Sequence, residues 1–296
     1  MTKDKNTTQN TANLFLTADL HARQDNIDLV LRLIDILTEA YDNSIAEEKY
    51  IGIIGDLIDE RDKVKASSLI KIRRKITEKA KEGYKFILIK GNHDSPDKDY
   101  TSSILEIFNG VENIQFILSN TSLKIAGRDI LCIPYTEQKN WEAYPQTDLI
   151  LGHLAIVGSY VSSIYQATLG FSLADLPFAS YGVFGHHHEN QRIENRDFWY
   201  IGTPFPRTFG EVGQEKSYLQ VDLNKWKFDF IPLTQYPHYY EYNIKTEVEW
   251  EKAKKEIKAN PQNCYKIFSS IEIESDTNKL KSLVYNNNLL YIPISK

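Results

Sequence analysis

Of the seven histidines in the 296-residue chain, six stand in short clusters beside a glycine or an acid. Asp19-Leu20-His21 sets a carboxylate and an imidazole two residues apart, and Gly55-Asp56-Leu57-Ile58-Asp59 follows an apolar run with two aspartates. Gly91-Asn92-His93-Asp94 offers an amide oxygen, an imidazole and a carboxylate in succession. Gly152-His153 and Gly185-His186-His187-His188 add further imidazoles. In extended backbone, residues two apart point the same way, so Asp19 and His21 can meet one cation, and the histidines of the last cluster alternate in direction. Singly, each cluster has an ordinary alternative: a capping aspartate beside a surface histidine, a helix N-cap at Asp56, a polar turn at Asn92. Together they deliver oxygen and nitrogen donors from five places, about the seven that a two-metal centre needs. The expectation is a binuclear centre whose divalent cations lie roughly 3.5–4 Å apart, bridged by one carboxylate and water. Such cations make hydroxide available near neutral pH and clamp a phosphoryl oxygen, so the chemistry is phosphate ester hydrolysis.

The elements that must position these groups alternate in type. LFLTA is followed by an amphipathic stretch over 28–41, YIGII by another over 64–82, and then comes KFILIK. Strands alternating with helices predict βαβ units and a parallel sheet. Each polar cluster begins where a strand stops, and the carboxyl edge of an open α/β sheet is where ligands bind. After a short helix at Ile104–Phe108, the β-rich runs IQFIL, SLKIA, DILCIPY and DLILGH predict a second sheet packed on the first. The block from Gln191 to Leu233 reads as successive antiparallel strands with turns at Pro, Gly and Asn-Lys. Past Thr234 the pattern restarts: HYYEYNI, a charged helix over 248–258, YKIFSSIEI, a short helix near 279–284, and LLYIPI. The predicted organisation is a tail over 1–12, a main α/β domain over 13–234, and a small α+β domain over 235–296.

Bulk composition narrows the chemistry. Cys132 and Cys264 are the only cysteines and lie outside any CxxC spacing, which excludes a disulfide framework, fits a reducing cytoplasm and leaves N and O as metal ligands. The first residues are polar and lack the apolar run of a signal peptide, and no apolar stretch approaches the roughly 20 residues of a membrane span. A cytoplasmic protein with no membrane partner is therefore expected. A formal net charge of −5 argues against a general polyanion binder, so contact with nucleic acid requires local positive charge or bound cations. No GxxxxGK pattern followed by Ser or Thr occurs, so the chain carries no ATPase of its own.

The order DxH, GDxxD, GNHD, GH, GHxH over Leu14 to about Leu233 resembles the calcineurin-like metallophosphoesterase superfamily. The resemblance implies Asp19, His21, Asp56 and His188 at one metal, and Asp56 as the bridge with Asn92, His153 and His186 at the other. It also implies that His93 contacts the scissile phosphate and assists the leaving oxygen, oriented by Asp94, and that His187 points away. Tyr200-Ile201-Gly202-Thr203-Pro204, leading to Arg207, Phe209, Gly210 and Glu211, is similar to the segment closing the nuclease domain of SbcD-type double-strand-break repair nucleases. Phage recombination nucleases that pair with an SMC-like ATPase look nearest. Protein Ser/Thr phosphatases fit poorly, since they carry Arg after the second aspartate of GDxxD and GNHE in place of GNHD. The resemblance implies a four-layer α/β/β/α sandwich with a small α+β C-terminal capping domain. It implies manganese, with magnesium as the alternative, 3′–5′ exonuclease action on duplex DNA and endonuclease action on single strands. It further implies an SbcC-type ATPase as partner and a homodimer. Several relatives carry histidine where Asp59 stands.

Other residues extend the site. Arg23 and Arg207 are candidates for contact with substrate phosphate, arginine being suited to bidentate recognition, and Asp59 is a candidate for binding substrate by positioning it. The basic run from Lys63 to Lys85 reads as a solvated helix face interleaved with Glu78 and Glu82, with a DNA-tracking face as the alternative. Trp199 and Tyr200 read as sheet core, while Phe205 and Phe209 are candidates for stacking on bases. The competing functions are a small-substrate phosphodiesterase or phosphatase of the same superfamily, and a non-catalytic scaffold that binds DNA ends or an ATPase.

Overall fold

The computed structural model describes residues 11–59, 64–97, 100–137, 146–162, 165–193, 196–284 and 288–294. The tail expected over 1–12 and the start of the basic run at Lys63 therefore fall wholly or mostly outside the described residues, except that Ala12 already pairs with Glu48 in a strand. Contacts divide the chain into two compact units: residues up to Pro204 with Ser217–Ile231, and Phe205–Lys216 with Pro232 onward.

In the first unit, β1 (Ala12–Thr17), α1 (Ile27–Asn43), β2 (Glu48–Ile54), α2 (Ala66–Lys81), β3 (Phe86–Ile89) and β4 (Ile114–Ile117) follow in order. Then come β5 (Thr121–Ile125), β6 (Arg128–Ile133), β7 (Thr147–His153), β8 (Tyr160–Ser162), β9 (Tyr165–Gln166), β10 (Ala179–Gly185), β11 (Gln191–Arg192), β12 (Phe198–Tyr200), β13 (Ser217–Asp222) and β14 (Lys227–Pro232). Two six-stranded sheets result, ordered β14-β13-β1-β2-β3-β4 and β11-β12-β10-β7-β6-β5. In the first sheet, β1 to β4 run parallel and β13 antiparallel to β1. In the second, β6, β7, β10 and β12 run parallel and the edges antiparallel.

Strand periodicity builds the core between the sheets. Leu14 and Leu16 of β1, Leu149 and Leu151 of β7 and Leu219 and Val221 of β13 belong to one buried cluster. Helix α1 packs against β1, β2 and α2. Its apolar stripe, Ile27, Val30, Leu33, Ile34 and Leu37, has the i, i+3, i+4, i+7 spacing of a half-buried helix. Ile72, Ile76 and Ala80 form the buried row of α2. Removing each of the larger aliphatic side chains from water contributes about 1.5–3 kcal/mol to folding.

The α/β class expected from the sequence is the one adopted, with two local differences. Strand β4 belongs to the first sheet, pairing parallel to β3, although its sequence pattern groups it with the second. Likewise the block from Gln191 to Leu233 is no single run of antiparallel strands: β11 and β12 join the second sheet, whereas β13 and β14 join the first beside β1. Register with distant strands decided both placements, and local patterning does not encode that. The outer face of the second sheet is covered by Leu154, Ile156, Phe171, Leu173 and Leu176, from a segment whose described residues form one 3-10 turn and no α-helix. Gly158, Gly170 and Pro177 interrupt any helical period there.

The second unit is a βαβαβ arrangement: β15 (Tyr239–Ile244), α3 (Glu247–Ala259), β16 (Cys264–Ser269), α4 (Glu274–Lys281) and β17 (Leu289–Pro293). Its three strands are all parallel, in the order β15-β16-β17, around a core containing Trp250, Ile257, Tyr265 and Ile267. Residues 205–216 fold with it: Phe205 packs on Tyr236, Phe209 on Tyr239, and the Leu233 N–H donates to the Lys216 carbonyl. Phe205 is thus committed to packing, not to stacking on bases. Among the described residues, no helix is long and apolar enough to cross a membrane.

Candidate metal centre

The five clusters converge at one edge of the first unit because the loops holding them are tied to one another. The Asp19 N–H donates to the Gly55 carbonyl (3.1 Å), the His21 N–H to the Asp56 carbonyl (2.9 Å), and Ala22 bridges to Ile58. The His93 N–H donates to Asp56 Oδ1 (2.8 Å), and the His186 N–H to both Asp19 carboxylate oxygens (3.0 Å each). Four site residues take left-handed backbone conformations, with φ of 54° at Asp19, 43° at His21, 51° at Asp56 and 102° at His186. Such backbone costs about 1–3 kcal/mol per non-glycine residue and persists only where surrounding bonds impose it.

The glycines of the clusters have a steric cause. A Cβ on Gly91 would strike Asp56 Oδ1 and the Asp56 backbone nitrogen, and one on Gly55 would strike the His153 ring. A Cβ on Gly185 would strike the Ile54 carbonyl. Backbone must pass close behind the acid and imidazole groups, and only glycine leaves that room.

The groups that meet are nearly all acceptors. His153 Nδ1 lies 2.8 Å from the Ile54 carbonyl, which only accepts, so that nitrogen carries the proton and Nε2 faces the site. Around Nε2 stand Asn92 Oδ1 at 3.2 Å, Asp56 Oδ2 at 3.4 Å and Asp19 Oδ1 at 3.9 Å. Asn92 Oδ1 is also 3.0 Å from His186 Nδ1. On the other side, His21 Nε2 is 3.1 Å from His188 Nε2, 3.6 Å from Asp56 Oδ2 and 3.9 Å from Asp19 Oδ1. Ligand atoms of Asp19, His21 and His188 lie within 4.8 Å of one another, as do those of Asp19, Asp56 and His153. Buried lone pairs facing lone pairs are unfavourable unless a positive charge sits between them, so this donor set fits divalent cations.

The electrostatics express the same demand. Burial disfavours ionisation of Asp56, yet His153, His21 and His93 outweigh it and hold the carboxyl far below the ordinary carboxylate range. Burial likewise disfavours a charged His153, but Asp56 and Asp19 lift its pKa to about 9, so without a cation Nε2 takes up a proton at neutral pH, the positive charge that a metal would replace. At His186, burial and then His153 and His187 push the pKa down to about 3, so this ring stays neutral, the form in which an imidazole can bind a cation. Asp94 is pushed up to about 6 by burial and then by Asp56.

The remaining expected residues are placed as follows. Asp94 does not orient the His93 ring through any contact among the described residues; its Oδ2 accepts from the Gly91 N–H (2.8 Å) and its Oδ1 from the Ile58 N–H (3.1 Å), bracing two loops. His93 Nδ1 instead meets the Asp59 carbonyl at 2.6 Å. Arg23 is ion-paired to Asp25 (2.9 Å) and Asp59 (3.3 Å). Arg207 belongs to the second unit, its N–H donating to Glu211 Oε1 at 3.3 Å. His187 is buried against the ring of Tyr200, centroids 4.8 Å apart, and burial lowers its pKa to about 4. Tyr200 is core, its hydroxyl donating to the Leu154 carbonyl (2.7 Å) and accepting from the Ile156 N–H (2.9 Å). On α2, Lys75 pairs with Asp35, Lys71 with Asp28, Lys79 with Glu82, and Arg73 donates to the Ile107 carbonyl, so most of its basic face is engaged within the unit.

Two neighbours were not legible in advance. The Tyr135 ring lies 5.5 Å from His186, its N–H donating to the Lys90 carbonyl at 2.8 Å. Its only sequence signal is its place just past strand β6, on the same edge as the histidines. Asn26, which reads as an ordinary helix start, donates to the His21 carbonyl (3.0 Å) and accepts from the Arg23 N–H (2.8 Å), shaping the Asp19–Asn26 loop.

Comparison with known proteins adds independent observations. The family model described as calcineurin-like phosphoesterase matches residues 12–190. The SbcD component of nuclease SbcCD from Staphylococcus epidermidis is 23% identical over 253 residues, covering 72% of this chain and 61% of that protein. The chain thus spans less than two thirds of that relative's length. Among solved structures, Pseudomonas putida nuclease MPE is 15% identical, covering 74% of this chain and 87% of its own, with a TM-score of 0.34. A conserved protein of Streptococcus pneumoniae, a predicted phosphoesterase, is 12% identical over 75% of this chain and 90% of its own, also at 0.34.

Proposed function

Because the chain belongs to the calcineurin-like phosphoesterase family and is therefore a hydrolase of phosphoester bonds, we propose that its substrate is DNA, cut at a binuclear centre. Asp19, His21, Asp56 and His188 hold one divalent cation, and Asp56, Asn92, His153 and His186 hold the other. Manganese is the metal of this reading, with magnesium as the alternative. The observation that carries it is the convergence of buried acceptors around Asp56, with Asn92 Oδ1, His153 Nε2 and His21 Nε2 turned inward. When bound, two such cations acidify water and neutralise charge developing on a phosphoryl oxygen.

The chain's own residues do the rest. The Ile54 carbonyl fixes the His153 tautomer, and the Asp59 carbonyl does the same for His93 by accepting from its Nδ1. The His93 Nε2 edge is then left to contact the scissile phosphate and pass a proton to the leaving oxygen. Asp94 keeps the Gly91 and Ile58 loops in register beneath it. The DNA reading is supported by the weak similarity to the SbcD component of the SbcCD nuclease and by the Gly202-Thr203-Pro204 segment, in which the Thr203 N–H donates to the His188 carbonyl at 3.1 Å. In this reading, action is 3′–5′ exonucleolytic on duplex and endonucleolytic on single strands. The second unit is a capping domain, the partner an SMC-like ATPase, and the assembly a homodimer.

The test uses purified protein, Mn2+, end-labelled duplex and single-stranded DNA, and bis-p-nitrophenyl phosphate. DNA degradation is expected to require the metal and to fall by about 10²–10⁴-fold in His93→Ala, the range for a lost acid–base group, with Mn2+ affinity unchanged. Turnover of the small diester with DNA untouched, even beside an ATPase partner, establishes the small-substrate phosphodiesterase instead.

A further inference from the structure

Asp59 and Arg23 stand in the first unit where a substrate contact was expected, yet their atoms are already engaged. Resting on the two-cation reading above, we infer that Asp59 is a positioning residue that sets the ring of His21, with Arg23 as its brace. Asp59 Oδ1 lies 3.1 Å from His21 Nδ1, and the opposite edge of that ring, Nε2, faces His188 Nε2, Asp56 Oδ2 and Asp19 Oδ1. The contact stands at ion-pair distance without hydrogen-bond geometry; a carboxylate only accepts, so it draws the proton to the nitrogen beside it and turns the lone pair to the cation side. The His21 backbone is held separately by its N–H bond to the Asp56 carbonyl. Rotation of the ring is a further degree of freedom, and Asp59 is the acid placed to stop it.

Asp59 is itself held from three sides. Its N–H donates to the Ala22 carbonyl (3.3 Å), its Oδ2 meets Arg23 Nη1 (3.3 Å), and its carbonyl meets His93 Nδ1 (2.6 Å). Arg23 Nε is in turn 2.9 Å from Asp25 Oδ1. One residue therefore orients two imidazoles, His21 through its side chain and His93 through its backbone, whose rings meet edge to face with centroids 4.8 Å apart. Only the His21 arm is removed by changing the Asp59 side chain, which makes the two separable by mutation. Acids behind metal-bound imidazoles are worth about 10–100-fold in metal affinity.

Calorimetric titration of the full chain with Mn2+ alone, comparing wild type, Asp59→Ala, Asp59→Asn and Arg23→Gln, tests this without reference to DNA. A failure of the nuclease reading therefore leaves the outcome intact. Asp59→Ala is expected to weaken one of two Mn2+ equivalents by about 10–100-fold. Asp59→Asn, whose amide oxygen still accepts, falls between it and wild type, and Arg23→Gln weakens binding less than Asp59→Ala. In ¹⁵N-histidine spectra with Mg2+, the His21 Nδ1–H tautomer of the wild type is lost in Asp59→Ala and kept in Asp59→Asn. Unchanged affinity and an unchanged His21 tautomer in both Asp59 variants overturn the inference. Complete loss of one equivalent in both also overturns it, making Asp59 a direct ligand in the His21, Asp59, His93 cluster. Should Asp59→Ala fail to fold, the Asn variant's titration decides alone: an affinity below wild type with both equivalents retained supports the inference, and an affinity equal to wild type overturns it.

Discussion

Both units of this molecule place acids just beyond parallel strands, and they use them in opposite ways. In the second unit, past β15, Glu249 accepts from the Lys245 and Thr246 N–H groups (2.7 and 3.0 Å), while the Glu249 N–H donates to Thr246 Oγ1 (3.3 Å). This is a capping box: the acid serves the helix it begins. In the first unit, Asp19 and Asp56 serve neither following helix, since α1 is preceded by Asn26 and α2 by Lys65, each without a side-chain cap bond. Their oxygens accept from His186 and His93, residues 167 and 37 positions away. An acid at a strand end is ambiguous by type, and what separates the two uses is whether its partners are local. Where they are distant, the backbone is also held at positive φ, a strain the capping acids do not carry.

That contrast can be broken most severely at Gly91. Its alanine variant drives a methyl group into Asp56, so Mn2+ affinity by calorimetry is expected to drop by about tenfold or more. Stability by urea unfolding is expected to fall by about 1–3 kcal/mol, the range for an overpacked site. A variant that binds Mn2+ like wild type would mean that the loops can part freely, against the packing described. In the second unit, Thr246→Ala is expected to lower stability by about 1 kcal/mol through the lost cap, with Mn2+ affinity unchanged. Any loss of metal binding there would show that the two uses of acids are not independent.

The smallest effect concerns the thiols. Burial pushes Cys132, in the core between the sheets, up to about 12 from its ordinary 9.0. Cys264 in the second unit is also raised by burial, partly offset by hydrogen bonds from Tyr239 and Asn288. Because the fold favours the neutral thiol of Cys132, its contribution is whole below the ordinary thiol pKa of 9.0 and is lost as pH climbs toward about 12. Neither thiol is expected to react with a disulfide reagent at mildly alkaline pH in the folded chain, and in partial denaturant Cys264 is labelled before Cys132. Equal rates, followed by mass spectrometry, would remove this distinction between the units.

Legibility in the sequence was uneven for physical reasons. Helix α1 was readable because its apolar stripe has one period over many residues, and the spans expected and observed differ by less than a turn at each end. Helix α4, which the sequence pattern puts near 279–284, lies at Glu274–Lys281, because its burial rests on Thr277 and Leu280 alone, too few positions to set a phase. The donor clusters were readable by residue type, yet the orienting partner of His93 was not. Asp94, its chain neighbour, turns to the Gly91 and Ile58 amides, and a carbonyl 34 residues away takes the ring.

What the sequence determined by itself was the inventory and its placement: oxygen and nitrogen donors at strand ends, with glycines beside them, since strand period and side-chain chemistry are local properties. What only the tertiary structure decided was which atoms meet. His21 and His188 are 167 residues apart in the chain and 3.1 Å apart in the fold. Asp59 and Arg23, suited by type to touch substrate, also meet each other, and Asp59 meets two imidazoles. Distances of that kind follow from sheet order and register, which no local pattern contains, and they turn a set of suitable residues into a site.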